Sequence, residues 1–417
     1  MTDILTLTID ALTHSGEGLA RQAGRVVFVP FALPGETVRA ALVEEKKSFA
    51  RARLLEVLTP AAERVTPRCP HHFVPGAPAA ALACGGCQLQ HLTYPGQLRF
   101  KQGLVVEQLT RLGGFAAPPV RPIHAAPASF GYRNQVQFAF APDGRLGFRA
   151  AGSSAVVPIQ DCALAAPELM TLFHQITVEP SPEIERLTLR AGAEAEHLIV
   201  LEAAEGAPEL ELDLPVSAAL LRPDGATLAL VGQDYVVVEV KGRAFQVSAG
   251  SFFQVNTAVA ERLVEEVLAA LELRGGATVL DVYCGVGLFT AFLAPLAGRV
   301  IGVEAFEPAV DDAAVNLDEF DNVAIYAAPA EDVLPGLAEA VDAVVVDPPR
   351  AGLASEVVEA LLKLRSPRLV YVACDPATFA RDARRLAAGG YALDYVQPLD
   401  MFPQTHHVEC VARFTLA

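Results

Sequence analysis

The sequence predicts an α/β protein: a C-terminal, doubly wound, Rossmann-like domain, a strand-rich central domain and a small N-terminal β-barrel. Three observations carry this. Past residue 250, strand-like runs alternate with helical ones, as in TVLDVYCGVGLFTAFLA and RVIGVEAFEPAVDDAAVNL. Between residues 123 and 250, the apolar runs are short and strand-like. Over the first 58 residues, apolar and polar positions alternate between Gly- and Pro-containing turns. A chain of 417 residues exceeds one ordinary domain, and the divisions expected are 1–58, 59–250 and 251–417.

In the N-terminal part, ILTLTIDAL alternates, GRVVFVPF and TVRAALVEE follow, and ALPGE between them is a turn. ARARLLEVL is a further strand. Five or so short strands fit a barrel of the oligonucleotide-binding size.

Seven cysteines, an odd number in a large chain, point to a reducing compartment rather than a disulfide scaffold. There is no run of 18 apolar residues and no basic-then-apolar leader, so a cytoplasmic protein without a membrane span is expected. Cys84 and Cys87 form a C-x2-C loop with two glycines between them, and Cys69 and Cys162 are the candidates to complete a four-thiolate set. Four thiolates hold either zinc or an iron–sulfur cluster, and ordinary buried cysteines are the third reading.

The net charge of −17 argues against a protein that coats nucleic acid nonspecifically. Charge is unevenly spread. Residues 64–150 carry nine basic against two acidic side chains, and residues 151–235 carry three against 14. The basic segment is a candidate contact surface for a polyanion. In the central region NQVQFAFA, LGFRA, ERLTLRAG, HLIVLEA, TLALVG, YVVVEV and RAFQVSAG have strand character, with Asp143-Gly144 and Asp224-Gly225 as turns.

In the C-terminal part SFFQVNTAVAERLVEEVLAALEL reads as a loop into an amphipathic helix. AVDAVVVDPPR, PRLVYVACDP and VECVARFTL are further strands. The chemistry-bearing residues stand at strand ends, where this architecture builds its sites. Asp281-x3-Gly285-x-Gly287 is not the full dinucleotide fingerprint, and no pyrophosphate is demanded. Glu304 ends the next strand, where a carboxylate can take both hydroxyls of a ribose. S-adenosylmethionine fits this pattern better than a nicotinamide dinucleotide. Asp347-Pro348-Pro349-Arg350 adds a stiff loop after a strand.

The motifs QVN (254–256), DVYCGVG (281–287), DPPRAG (347–352), CDPATFARD (374–382) and HHVE (406–409) together resemble the S-adenosylmethionine-dependent uracil-5-methyltransferases of RNA. GEGLAR and GRVVFVPFALPGE resemble that family's small RNA-binding TRAM domain, so the resemblance covers nearly the whole chain. It implies a [4Fe-4S] cluster on Cys69, Cys84, Cys87 and Cys162. The 14 residues between Cys69 and Cys84 are a longer spacer than the family's usual one. It further implies cofactor contacts at Gln254, Tyr283, Glu304 and Asp347, a nucleophile at Cys374 and a base at Glu409. Arg133, in GYRNQVQF, matches an arginine motif of the family's central domain and is expected to contact RNA. The family's position 288 carries Asn in cluster-containing relatives; here it is Leu288.

The chemistry explains the pattern. C5 of uracil attacks a methyl sulfonium poorly, and a thiolate added at C6 activates it. A base must then remove the C5 proton. These atoms are at the edge of a stacked base, so the target must be unpaired or flipped. A DNA amino-methyltransferase needs no Cys374, a redox protein leaves the cofactor motifs unexplained, and a pure RNA binder accounts only for the front half. Bacterial relatives acting on transfer RNA commonly lack the N-terminal domain and cluster. The expected substrate is therefore 23S ribosomal RNA, with transfer RNA as the alternative, and the expected state is a monomer.

Overall fold

The computed structural model describes residues 3–78, 82–178, 184–204, 206 and 213–417. Residues 79–81, within the long Cys69–Cys84 spacer, lie outside the described residues.

Strands β1 (Ile4–Leu12), β2 (Gly18–Gln22), β3 (Arg25–Val29), β4 (Thr37–Glu45) and β5 (Phe49–Thr59) close into a barrel in the order β1-β2-β3-β5-β4. Alternation sends Leu7, Ile9, Val27, Val29, Val38 and Leu54 inward. Glu36 is fully buried and accepts from the N–H groups of Leu33 and Ala61. Arg64 donates to both its oxygens and so fastens the barrel to the chain that follows.

Helix α1 (Tyr94–Arg111) follows, a long element the sequence pattern does not announce. The central sheet contains β6 (Gln135–Phe140), β7 (Leu146–Arg149), β8 (Val156–Pro158), β9 (Ile184–Ala191), β10 (His197–Ala203), β11 (Ser217–Leu221) and β12 (Thr227–Val231), ordered β12-β11-β10-β9-β6-β7-β8. Helix α2 (Pro167–Gln175) precedes β9 and packs on it through Leu169 and Leu172. Strands β13 (Tyr235–Val240) and β14 (Arg243–Ser248) form a separate hairpin.

The C-terminal domain runs α3 (Thr257–Leu271), β15 (Thr278–Val282), α4 (Leu288–Leu293), β16 (Arg299–Glu304), α5 (Glu307–Asn316), β17 (Val323–Ala327), α6 (Ala330–Val333), β18 (Ala343–Val346), α7 (Ser355–Leu364), β19 (Arg368–Ala373), α8 (Pro376–Ala388), β20 (Tyr391–Leu399) and β21 (Glu409–Leu416). The strand order is β17-β16-β15-β18-β19-β21-β20. The first five strands are parallel, and β21 runs antiparallel to both neighbours. Val279 packs into one core and Leu280 into the other, so both sheet faces are covered.

Two packing relations bear on the expected organisation. The first crosses the expected division at residue 250. Val236, Val238, Phe245 and Val247 of the β13–β14 hairpin share a core with Val259 and Leu263 of α3. Helix α1 likewise packs on α8, with Val105 and Leu109 in the C-terminal core. The second concerns the basic segment 64–150. Three of its basic side chains pair with carboxylates outside it: Lys101 is buried against Asp400, Arg64 pairs with Glu36 and Arg99 with Glu63. Arg111 and Arg145 pair with Glu107 and Asp143 of the same segment, and with Arg99 they stay exposed. Arg121 lies 3.3 Å over the Tyr395 ring. Among the described residues no helix is long and apolar enough to cross a membrane.

Candidate active site

Parallel strands end side by side, so residues following them gather at one edge of the sheet. The β15 end leads into Tyr283, in the left-handed region at φ 64°. This strained backbone is held by the Tyr283 and Cys284 N–H groups, both donating to Val303 O. Gly285 and Gly287 also have positive φ. At Gly287, φ 89° favours glycine, and a Cβ there would also press on the Leu317 side chain at 2.9 Å.

Glu304 closes β16 beside this turn. Its Oε2 accepts from Gly285 N (3.0 Å), and its Oε1 from Ala305 N and Phe306 N (both 2.8 Å). Asp281 is fully buried and accepts from Thr290 Oγ1 at 2.6 Å. Burial pushes its carboxyl up to about 6. Half-buried Asp347 follows β18, its N–H on Val282 O. Burial, then the charge of Asp281, raise it to about 7. Gln254 is buried just before α3, its carbonyl taken by Asn134 Nδ2. Gln254, Tyr283, Glu304 and Asp347 are the four residues expected around the cofactor.

Cys374 and Glu409 meet through strand register. Ala373 of β19 stands opposite Cys410 of β21. In an antiparallel pair the next residue of one strand faces the preceding residue of the other, which sets Cys374 against Glu409. Burial, then the charges of Glu409 and Asp347, push the Cys374 thiol up to about 12. Burial and Asp347 likewise raise Glu409 well above the usual carboxylate range, and Arg350 opposes this. Asp375 serves the helix that follows. Its side chain caps α8 by accepting from Ala377 N and Thr378 N (2.9 Å each). Asp382 is buried inside α8 and accepts from Leu353 N and Tyr371 OH.

The segment between β20 and β21, ending at Glu409, is tied down by two residues of the quoted motifs, Tyr132 and Asn256, and by two of α1, Gln97 and Lys101, that no motif singles out. Lys101 donates to Asp400 and Phe402 O, Gln97 to Gln404, Tyr132 to Pro403 O, and Asn256 to Met401 O. Gln97 and Lys101 stand among the many polar residues of α1, so no sequence signal marks them out.

Cys69, Cys84, Cys87 and Cys162 line one small cavity of about 50 Å3. All four thiols are free. A β-bridge between Cys84 and Ala150 brings the C-x2-C loop to the central sheet. Burial pushes Cys84 up to about 11 and Cys87 to about 12. Among the described residues no three His, Cys, Asp or Glu side chains are grouped closely enough to share one metal ion. Arg133 lines this same cavity. Its buried Nε has no hydrogen-bond partner among the described residues. Arg133, expected to contact RNA, therefore lies at the cysteine cavity and is partly exposed.

The profile of the tRNA (Uracil-5-)-methyltransferase family matches residues 219–415, and the TRAM domain matches residues 3–55. An uncharacterized RNA methyltransferase of Gloeobacter violaceus is 37% identical, over 98% of this chain and 95% of its own length. One from Streptomyces avermitilis is 38% identical, over 97% and 96%. Among solved structures, the tRNA (uracil-54, C5)-methyltransferase of Pyrococcus abyssi, in complex with S-adenosyl-L-homocysteine, superposes with a TM-score of 0.77 at 28% identity. That match covers 99% of this chain and 100% of the other. The chain belongs to the S-adenosylmethionine-dependent RNA (uracil-C5) methyltransferases.

Proposed function

We propose that this enzyme methylates C5 of a uridine in 23S ribosomal RNA through a covalent bond between Cys374 and C6. The observation that carries the reading is the register that sets Cys374 against Glu409, with Asp347 close enough to raise both. Cys374 reacts as the thiolate, its proton having gone to solvent; addition of Sγ to C6 forms the S–C bond and moves the ring π electrons toward C5 and O4. C5 takes the methyl group as the S–CH3 bond of the sulfonium breaks, leaving S-adenosylhomocysteine. Glu409 removes the C5 proton, the C5–C6 double bond re-forms and Sγ departs. In the free site burial and neighbouring carboxylates disfavour the charged forms of both groups. S-adenosylmethionine, when bound, supplies the methyl group and a sulfonium charge that favours ionised Cys374, Glu409 and Asp347. Gln254, Tyr283, Glu304 and Asp347 hold it. A carboxylate offers about four acceptor sites, and three backbone N–H groups already occupy Glu304. A ribose bound there shares the carboxylate with that turn.

The four cysteines are the set that would hold a [4Fe-4S] cluster: all line one cavity, beside which Arg133 Nε has no hydrogen-bond partner among the described residues. We assign Arg133 as counter-charge to that centre. The cluster would join the segments of Cys69, Cys84–Cys87 and Cys162. Methyl transfer has no net electron change, so the cluster's role is structural. RNA is gripped by the barrel and by a cleft of about 770 Å3 between the barrel, the cysteine loop and the turn after β7. A flipped uridine then reaches Cys374. The enzyme acts in the cytoplasm as a monomer.

A second reading is favoured by one observation. The Pyrococcus abyssi enzyme, which matches this chain over its whole length, is a tRNA methyltransferase. Purified protein incubated with methyl-labelled cofactor and separate ribosomal and transfer RNA fractions decides between them. The expected result is labelled 5-methyluridine in the ribosomal fraction. Label in transfer RNA alone establishes the second reading, and label in neither overturns both.

A further inference from the structure

His406 is the single residue of the 400–408 segment that lines the 770 Å3 cleft. Its ring has a defined hydrogen arrangement. Gln88 Nε2 donates to Gly85 O at 2.6 Å, a contact only the amide NH2 can make. The Gln88 oxygen is therefore the atom 3.3 Å from His406 Nδ1, and Nδ1 must carry the hydrogen. Burial, together with His14, Lys101 and Arg350, pushes the imidazole down to about 4 against the opposing charge of Asp375, so it is neutral. A neutral ring with hydrogen on Nδ1 leaves Nε2 as a bare acceptor.

The ring is also fixed in position. It lies against the His407 ring, with centroids 4.1 Å apart and planes tilted by 38°. The barrel turn closes over it at Gly16, φ +80°, where a Cβ would lie 3.7 Å from His406 Cβ and 3.0 Å from Leu89 Cδ2. Leu89 N–H in turn donates to Gln404 O at 3.0 Å, joining the cysteine loop to the same segment.

An ionised phosphate has only acceptors to offer, whereas riboses and bases carry donors. We propose that His406 Nε2 accepts a hydrogen bond from a sugar or base donor of the RNA strand in this cleft, and so fixes the strand's register beside the target uridine. Gln88 is the positioning residue that holds the ring in the accepting form. The proposal rests on the reading that the RNA substrate runs through this cleft.

The test uses a short RNA containing the methylated uridine, with a single 2′-deoxy or single base N-methyl substitution at each flanking nucleotide. Rates of 5-methyluridine formation are compared for the wild type and His406→Phe, with cofactor affinity as the control for folding. One modified RNA should lose about fivefold in kcat/KM with the wild type, the scale of one neutral hydrogen bond. His406→Phe should lose about fivefold on unmodified RNA and nothing further on that modified one. A 2′-deoxy position identifies a sugar donor, and an N-methyl position a base donor. Independent losses at every position, or a wild type indifferent to all of them, overturn the proposal. If the wild type forms no 5-methyluridine in any RNA, the functional reading itself fails. If it does form it and no position couples to His406, only this inference fails. A second measurement leaves His406 in place. In Gln88→Leu, nitrogen-15 NMR should show the His406 hydrogen moving from Nδ1 to Nε2, and an unchanged spectrum overturns the role of Gln88.

Discussion

Lys101→Met probes the joint between α1 and the segment leading to Glu409. Lys101 and Asp400 are both fully buried, and Lys101 also donates to Phe402 O at 2.9 Å. Asp400 Oδ2 has no hydrogen-bond partner among the described residues. Methionine fills the volume but strands the carboxylate, and breaking a buried pair in this way costs about 3–5 kcal/mol. Urea denaturation at pH 7 should therefore show Lys101→Met weaker than wild type by about that amount. Lys101→Met combined with Asp400→Leu should recover most of the loss, since apolar replacement of a buried pair is often neutral. A loss below about 1 kcal/mol in the single variant would refute the buried-pair argument.

Glu409→Gln should still add Cys374 and transfer the methyl group, then stall, since neither earlier step needs this base. Mass spectrometry after nuclease digestion should find a methylated nucleotide on the protein, and rapid release of 5-methyluridine would assign the base elsewhere. Anaerobically purified protein should carry about four irons and four sulfides, and Cys84→Ser should lose most of the iron. Stoichiometric zinc without sulfide would contradict the cluster.

The sequence shows the barrel, the doubly wound sheet and the strand ends that carry Glu304, Asp347 and Cys374, because burial and turn chemistry mark them locally. Helix α1 escapes it. Its inward face includes Gln97 and Lys101, so apolar periodicity is broken at the positions that matter. Strand β20 escapes for a related reason: a register shift between Leu393 and Tyr395 interrupts its alternation. The four cysteines are 15, 3 and 75 residues apart in sequence, and contacts such as the Cys84–Ala150 bridge and the bonds of His71 to Cys84 and Gln160 bring them to a common cavity. Arg133 is placed by its bridge to Ala165, a pairing invisible in its own motif. The opposition of Cys374 and Glu409 likewise depends on the antiparallel insertion of β21, which alternating motifs alone do not specify.

The central claim is the covalent step at Cys374, and RNA carrying 5-fluorouridine at the target tests it most directly. Fluorine in place of the C5 hydrogen leaves Glu409 no proton to remove, so the adduct cannot collapse. With cofactor present, the wild type should form a denaturation-resistant protein–RNA complex bearing the transferred methyl group. Cys374→Ala should bind cofactor normally and form none. A Cys374→Ala enzyme that still traps this RNA, or methylates ordinary uridine at the wild-type rate, would contradict the account.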